Sequence, residues 1–342
     1  MLRKGLCAVI RPAHANIRPI TVVCHRVRFI RYDHGPSLER IVDFCPTSMT
    51  QIIHRVIEPG FRYQINRPSV TADGLVSRAW AITAARCTIA IEAKLPDSGI
   101  EIYFNLGPNG RSLLDSSNKP VTGHRKAWVI GPHSDVLRFA KELVDCDIVA
   151  IRLAPGTAPS LLGVPAAEIR DEVVDLDLFW GAFVGQLMDS LYEARDISTR
   201  LRLIERTLIQ RMMRRGPVDR TAGAVCGALC ELHGQSVERI ATQYGLTHRR
   251  VISLAREYVG FSPASFRRVH RLRAVVSHIH SRDDYRWARI AAEAGYSDQP
   301  HLIHDFRDLS GFTPAEYAAN RSSVGEGFVP HLRVARTAPD HA

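Results

Sequence analysis

Two short stretches of the chain carry arginine, glutamine and histidine at spacings that align their side chains on one face of a helix. Between Thr247 and Gly260, the outward-facing residues are Arg249, Arg250, Ile252, Ser253 and Arg256. Between Asp298 and Gly311, they are Gln299, Pro300, Ile303, His304 and Arg307. Arginine and glutamine pair through two hydrogen bonds with guanine and adenine edges. The pattern predicts two helices that contact base edges, which we call the first and second reader helices.

An apolar stripe occupies the opposite side of each reader helix. Val251, Leu254 and Ala255 form it in the first, and Leu302 and Phe306 form it in the second. Any surface helix of a helical bundle also has one apolar side and one solvated side. Because the whole pattern occurs twice, base recognition is favoured over that simpler interpretation.

The elements that must position the reader helices are also written twice, at a period of about fifty residues. Each copy predicts a helix, a glycine turn and a second helix, which is the arrangement of a helix-turn-helix. The matching segments are Ile240-Ala241 with Ile290-Ala291, Gly245 with Gly295, and Gly260-Phe261-Ser262-Pro263 with Gly311-Phe312-Thr313-Pro314.

Capping residues stand at the predicted helix starts. Ser236 and Thr247 are N-caps for the first copy, and Asp298 is the N-cap of the second reader helix. Pro300 falls in the first turn, where its missing N–H costs little. Residues 313–316 (Thr-Pro-Ala-Glu) form a capping box.

These residues resemble a known family. The run Tyr296-Ser297-Asp298-Gln299-Pro300-His301-Leu302, followed by Phe306-Arg307, Gly311-Phe312-Thr313-Pro314 and Tyr317, is similar to the signature of the AraC-type transcription regulators. The resemblance covers roughly residues 219 to 321. It implies two helix-turn-helix units joined rigidly by one long helix, at about Pro263 to Ser281, whose buried stripe is Leu272, Val275, Val276 and Ile279.

The resemblance also implies base-reading positions and partners. The positions carried over are Arg249, Ile252 and Ser253 in the first reader helix, and Gln299, Pro300, Ile303 and His304 in the second. The family usually has arginine at the positions of Ser253 and His304 and a large aromatic residue at that of Ala255, so the bases cannot be inferred from it. The implied partners are double-stranded DNA and RNA polymerase.

The charge of the chain agrees with an anionic partner but does not identify one. The 342 residues carry a formal charge of +10, and cationic side chains gain affinity by displacing counterions from phosphates. Residues 220–320 contain thirteen arginines and ten acidic residues, a balance of only +3. Much of the excess lies in the first forty-five residues and in residues 200–215. The repeat therefore carries more weight than the net charge.

Residues 48 to 155 change to short β-rich runs separated by turns, which predicts a sandwich or barrel. The expected strands are Ile52–Ile57, Thr88–Ala93, Ile100–Asn105, Ala127–Ile130 and Asp147–Leu153. The stretch from Gly131 to Gly181 resembles the cupin-like sensor domain that precedes the DNA-binding module in some AraC-type regulators. That resemblance implies a small barrel that holds an effector, without naming the effector. The expected fold class is thus α+β and multidomain, with a β-rich cupin-like barrel before an all-α double helix-turn-helix.

Nothing in this half predicts catalysis, a cofactor or a metal. A metal-dependent cupin needs a His-x-His pair, whereas His54, His124 and His133 are isolated. Cys226 and Cys230 lie one helical turn apart, but no further ligands stand at comparable spacing. The candidate effector-pocket residues are Trp80, Trp128, Tyr103, Phe104 and Arg152, with the core or ordinary surface as the alternative role.

Two amphipathic helices are predicted between the two halves. One spans Phe179 to Ala194, with Phe179, Phe183, Leu187 and Leu191 on its apolar face, and the other spans Ile197 to Arg215. Two roles fit them equally. They either bury their apolar faces against a second copy of the chain, forming a homodimer, or they cover the barrel.

Together these observations predict a transcription regulator that reads two successive major grooves and responds to an effector or to dimerisation. The alternative is a cupin-type enzyme fused to a helical protein-interaction module. No apolar run is long enough to span a membrane, so a cytoplasmic location is expected. The expected segments are a basic extension at 1–47, either a flexible arm on DNA or an upstream start artefact, a sensor at 48–196, a connector with a hinge at 197–217, a DNA-binding domain at 218–321 and a flexible tail at 322–342.

Overall fold

The computed structural model describes residues 23–24, 27–28, 52–58, 61–66, 74–87, 91–108, 113–114, 126–139, 143–216, 219–230, 236–281, 284–321 and 328–330. The chain divides into two compact parts, residues 1–39 and residues 40–342. Within residues 1–39, strands β1 (Val23–Cys24) and β2 (Val27–Arg28) pair antiparallel. The rest of the basic extension predicted at 1–47 lies outside the described residues. Everything below concerns residues 40–342.

The N-terminal domain contains two antiparallel sheets. A seven-stranded sheet has the order β12-β9-β7-β11-β5-β4-β3, and a four-stranded sheet has the order β13-β6-β10-β8. The strands are β3 Ile52–Glu58, β4 Phe61–Asn66, β5 Val76–Cys87, β6 Ile91–Lys94, β7 Glu101–Asn105, β8 Leu113–Leu114, β9 Ala127–Ile130, β10 Leu137–Phe139, β11 Leu143–Leu153, β12 Val173–Asp175 and β13 Phe328–Pro330.

The strands of the large sheet alternate between two buried faces. On one face, Ile102, Val129 and Val149 join the core beneath the helices. On the other, Tyr103 and Trp128 join a second core, against which the β8 and β10 residues of the small sheet pack. The predicted β-rich domain is confirmed. In the described residues the large sheet is open rather than closed into a barrel, with β3 and β12 at its ends.

The helices that follow cover the first face of the large sheet. They are α1 Ala158–Leu162, α2 Asp177–Trp180, α3 Phe183–Glu193 and α4 Ile197–Arg215, with a 3-10 turn at Ala166–Ile169. Their apolar residues, including Leu187, Leu191 and Leu208, lie in the same core as the sheet. Of the two roles considered for the amphipathic helices, the structure therefore favours covering the sheet. The prediction of one helix from 179 to 194 is wrong at its start, because Gly181 (φ 60°, ψ −150°) separates α2 from α3.

The C-terminal domain is all-α, as predicted. Its helices are α5 Arg220–Cys230, α6 Val237–Tyr244, α7 His248–Val259, α8 Pro263–Ser281, α9 Trp287–Glu293, α10 Gln299–Ser310 and α11 Pro314–Ala319. Helices α5 to α7 share one apolar core, and α8 to α11 share most of another. The joining helix has the expected bounds, and Leu272, Val275, Val276 and Ile279 are buried. We call α8 the linker helix.

The chain returns to the first domain after the last helix. Strand β13, in the segment predicted as a flexible tail, pairs antiparallel with β6, placing Phe328 opposite Lys94 and Val329 opposite Ala93. The other tail residues, 322–327 and 331–342, lie outside the described residues. Pro217 of the predicted hinge lies outside them too, while Gly216 ends α4 with φ 94°.

Candidate nucleic-acid interface

The first reader helix, α7, is fixed at both ends by backbone geometry that its sequence dictates. Thr247 caps its start, accepting from the N–H of Arg250 at 3.2 Å. The preceding helix α6 is capped in the same way by Ser236, and it ends at Gly245, whose φ of 63° favours glycine. A short turn between two capped helices sets the angle of a helix-turn-helix.

The outward face of α7 is the one predicted. Arg249, Arg250, Ser253 and Arg256 are exposed, and Ile252 is partly exposed at the edge of the core. Val251, Leu254 and Ala255 are buried beneath them. The first helix-turn-helix therefore presents three guanidiniums and a hydroxyl to solvent along one side of a single helix.

The second reader helix, α10, repeats this arrangement. Asp298 caps it by accepting from the N–H of His301 at 2.7 Å, and Leu302 and Phe306 are buried. Its outward residues follow the prediction, with four exposed and Ile303 partly buried against the core. The exposed ones are Gln299, Pro300, His304 and Arg307. The next helix, α11, begins with the expected capping box between Thr313 and Glu316.

Carboxylates lie near donor side chains on both faces. On α7, Arg250 lies 3.9 Å from Glu257. On α10, His304 lies 3.5 Å from Asp308, one turn further along. Both His304 and Asp308 are largely exposed, so this pair contributes little to stability. A phosphate or base edge that approaches these residues would compete with the carboxylates for the same donors.

A buried ionic clamp fixes the second reader helix to the linker helix. Asp305, which is 6% exposed, binds the guanidinium of Arg268 and lies 3.4 Å from that of Arg271. Arg271 also lies over the ring of Tyr296 at 4.7 Å. The sequence prediction missed this clamp, because arginines on a long helix normally belong to its solvated face. An aspartate on the inward side of α10, next to Phe306, was the available signal.

The predicted effector-pocket residues come together in part. Tyr103 stacks on Trp128 with ring centres 5.2 Å apart and meets Trp80 edge-on at 5.8 Å. The Tyr103 hydroxyl donates to Glu101 at 2.7 Å, and Arg152 lies 3.5 Å from the same carboxylate. Phe104 does not join them, since its side chain lies on the opposite face of the sheet. We call Trp80, Tyr103 and Trp128 the aromatic cluster.

Burial and neighbouring charges shift the pKa values of the titratable residues near this cluster. Burial raises the pKa of Asp97, but Arg152 and Arg273 outweigh it and hold that pKa well below its usual value. Burial and the nearby Lys94 lower the pKa of His133 to about 4. Its two ring nitrogens lie 3.2 Å from the carbonyl oxygens of Gly131 and Leu95. His133 is therefore a neutral structural residue at physiological pH.

Two absences apply to the described part of the chain. No three histidine, cysteine or acidic residues there are grouped so that they could hold a metal ion. Nor does any helix in those ranges have the length and apolar character needed to cross a membrane. Cys226 is buried, and burial raises its pKa to about 12, so it behaves as a small core residue.

Family models match both domains. Residues 229–320 match a family described as a helix-turn-helix domain, which includes both reader helices. The C-terminal domain is of the AraC type. Residues 66–175, within the β-rich domain, match a domain of unknown function, DUF6597. No curated protein matches the chain significantly. The AraC-type domain identifies the chain as a DNA-binding regulator.

Three solved structures are similar to parts of this chain. ToxT from Vibrio cholerae O395 is 10% identical and covers 70% of this chain and 97% of its own, with a TM-score of 0.39. An AraC-type regulator from Chromobacterium violaceum is 23% identical, over 31% of this chain and 92% of its own, at 0.27. The DNA-binding domain of AdpA, solved with a target DNA, is 27% identical, over 30% and 91%, at 0.27. These TM-scores are low, and the assignment of the AraC-type domain rests on the family model.

Proposed function

We propose that this DNA-binding regulator reads two successive major grooves of one operator with α7 and α10. The observation that carries the proposal is a matched pair of capped helices, each with an exposed arginine or amide face, joined by one continuous helix, Pro263–Ser281. A rigid joint of this kind favours a fixed spacing, and successive major grooves on one side of DNA lie roughly 34 Å apart.

The base-reading residues are proposed in two groups. Arg249, Ile252 and Ser253 on α7 would contact base edges, as would Gln299, Pro300, Ile303 and His304 on α10. Arg250, Arg256 and Arg307 lie on the same exposed faces and would contact bases or the flanking phosphates. Phosphate contacts set affinity and register, while base contacts set sequence preference.

The β-rich domain is proposed to regulate this activity by binding a small molecule, by dimerisation, or by both. The aromatic cluster, with its adjoining charged residues, is a candidate recognition site for the small molecule. RNA polymerase is a proposed binding partner of the AraC-type domain. A cytoplasmic location follows from DNA as the partner.

We also propose that the chain is not an enzyme. The alternative of a cupin-type enzyme requires polar groups that are available for chemistry. In the β-rich domain, His133 is buried, and its single ring N–H can donate to only one of the two backbone carbonyls that flank the neutral ring. Lys94 is ion-paired with Glu101. These contacts support a structural rather than a catalytic role for both residues.

Selection of bound sequences from a random duplex pool tests the proposed function. The selected operator should contain two half-sites one helical turn apart, and one chain should protect about 15 to 20 base pairs. Affinity should fall steeply with salt, since each neutralised phosphate releases counterions. Protection of a single groove would contradict the role of α10, and binding without a salt dependence would contradict DNA as the partner.

A substitution at Ser253 distinguishes base contact from phosphate contact. Ser253→Arg is expected to change the preferred base in the first half-site, because a bidentate arginine–guanine pair discriminates by about 1–3 kcal/mol. Affinity for the best sequence should change less than the preference does. The measurement is a repeated selection with the variant. Equal tightening on all sequences would show that residue 253 faces phosphate.

A further inference from the structure

Two loops of the β-rich domain are joined to each other and meet the AraC-type domain. They comprise residues 95–99 and 131–134, and we call them the bridged loops. The N–H of Asp97 donates to the carbonyl of His133 at 3.0 Å, and the N–H of His133 donates to the carbonyl of Asp97 at 2.8 Å. The buried His133 ring also contacts the carbonyl oxygen of Leu95. These contacts join the two loops directly.

The bridged loops contact both helix-turn-helix units. Pro132 lies against Gly260, the residue that ends the first reader helix. A Cβ at Gly260 would stand only 2.7 Å from the Pro132 ring. Leu95 is fully buried and packs in the core shared by the linker helix and the second unit. Asp97 lies 3.5 Å from Arg273 of the linker helix. The bridged loops therefore contact both helix-turn-helix units and the linker helix that joins those units.

Backbone pairing adds a second attachment at the same place. Strand β13 follows the second unit in the chain and pairs with β6, which leads directly into residues 95–99. Both attachments therefore converge on residues 91–99.

A series of buried polar contacts runs from the bridged loops into the sheet. Arg152 donates to both carboxylate oxygens of Asp97, with Nη1 to Oδ2 at 2.7 Å. The same Nη1 lies 3.5 Å from Glu101, which accepts from the hydroxyl of Tyr103 at 2.7 Å. Tyr103 stands at the centre of the aromatic cluster. One carboxylate, Asp97, is thus shared between the sheet and the linker helix.

We propose that the contacts Tyr103–Glu101–Arg152–Asp97–Arg273 form a relay that transmits the state of the aromatic cluster to the linker helix. Displacement of Tyr103 shifts Glu101 and Arg152, which changes the balance between the hydrogen bonds that Asp97 accepts from Arg152 and its ion pair with Arg273. The attachment of the bridged loops to the linker helix then changes, and this alters the placement of the two reader helices. The proposal rests on the proposed function, since it specifies how the β-rich domain would regulate DNA binding.

Two mild substitutions in the full chain test the relay. Tyr103→Phe keeps the ring and removes only the hydroxyl, which donates a hydrogen bond to Glu101. Arg273→Gln cuts the last contact but leaves Asp97 paired with Arg152, so no buried carboxylate is orphaned. Each variant should change operator affinity, and the double variant should differ from the product of the single effects by at least about threefold. The matched control is Arg267→Gln on the same helix, whose side chain bonds to the Pro263 carbonyl at 3.4 Å.

The outcomes separate the relay from the proposed function. Combined with Tyr103→Phe, the Arg267→Gln control should give multiplicative effects. Multiplicative effects for Tyr103→Phe with Arg273→Gln, in protein that binds its operator, would overturn the relay. If the unaltered chain selects no operator, the proposed function fails, and hydrogen exchange without DNA then decides the relay. Both relay variants should speed exchange of the α8 amides by at least about threefold, and unchanged exchange in Tyr103→Phe would refute it.

Discussion

Asp305→Ala is expected to abolish protection of the second half of the operator while the first half stays occupied. Asp305 is buried and binds Arg268 and Arg271 of the linker helix. Removing one partner of a buried ion pair costs about 3–5 kcal/mol, and the lower figure applies here because both guanidiniums are partly exposed. If that loss falls on the second unit, affinity for the whole operator drops by roughly 100-fold.

Asp308→Ala is the matched control for this prediction. It lies on the same helix and also binds Arg268, at 3.0 Å, but it is 45% exposed. Exposed ion pairs contribute only about 0–1 kcal/mol, so the control should retain both protected halves. Footprinting on the selected operator measures protection, and denaturant unfolding verifies that each variant is folded. A folded Asp305→Ala variant that protects both halves would show that the clamp does not position α10.

The AraC-type domain could be predicted closely from sequence because the signals that define it are local. Caps at Ser236, Thr247, Asp298 and Thr313 act within three residues of themselves, and all four form as expected. Buried stripes repeat at the helical period, so they identify the outward faces as well. The bounds of the linker helix were instead implied by the resemblance to the AraC-type regulators, and the structure has the helix at Pro263–Ser281.

The β-rich domain was predicted less well because its contacts are distant in sequence. The longest strand, Val76–Cys87, was missed, since its four alanines have low β-propensity. It forms because it pairs along most of its length with Leu143–Leu153, more than fifty residues away. The Asp97–Arg273 and Asp305–Arg268 pairs also join residues that are distant in sequence, and no periodic pattern predicts them. The residues that position the reader helices were therefore harder to find than the readers themselves.

Residues 218–321 alone are expected to bind the operator more weakly than the full chain and to show no response to effectors. The fragment keeps every proposed base-reading residue, both helix-turn-helix units and the clamp. It loses Leu95, which fills part of the second unit's core, and Pro132, which supports the end of the first reader helix. Exposing the surface that buries one leucine costs about 1.5–3 kcal/mol, so an affinity loss of roughly 10- to 100-fold is expected. If the full chain is a dimer, the fragment would engage the operator with one DNA-binding domain instead of two, which would weaken binding further.

Leu95→Ala in the full chain is the control that separates lost contact from lost domain. It should weaken operator binding in the same direction, since a buried leucine truncated to alanine costs about 2–5 kcal/mol, while the β-rich domain stays attached. Operator affinity of the full chain, the variant and the fragment should be compared with and without a small-molecule extract of cells. Only the forms that retain the β-rich domain should respond, because an effector acts through a difference in affinity for two arrangements of the chain. A fragment as tight as the full chain would show that the β-rich domain does not preorganise the reader helices, whereas one that binds no DNA would place the domain boundary before residue 218.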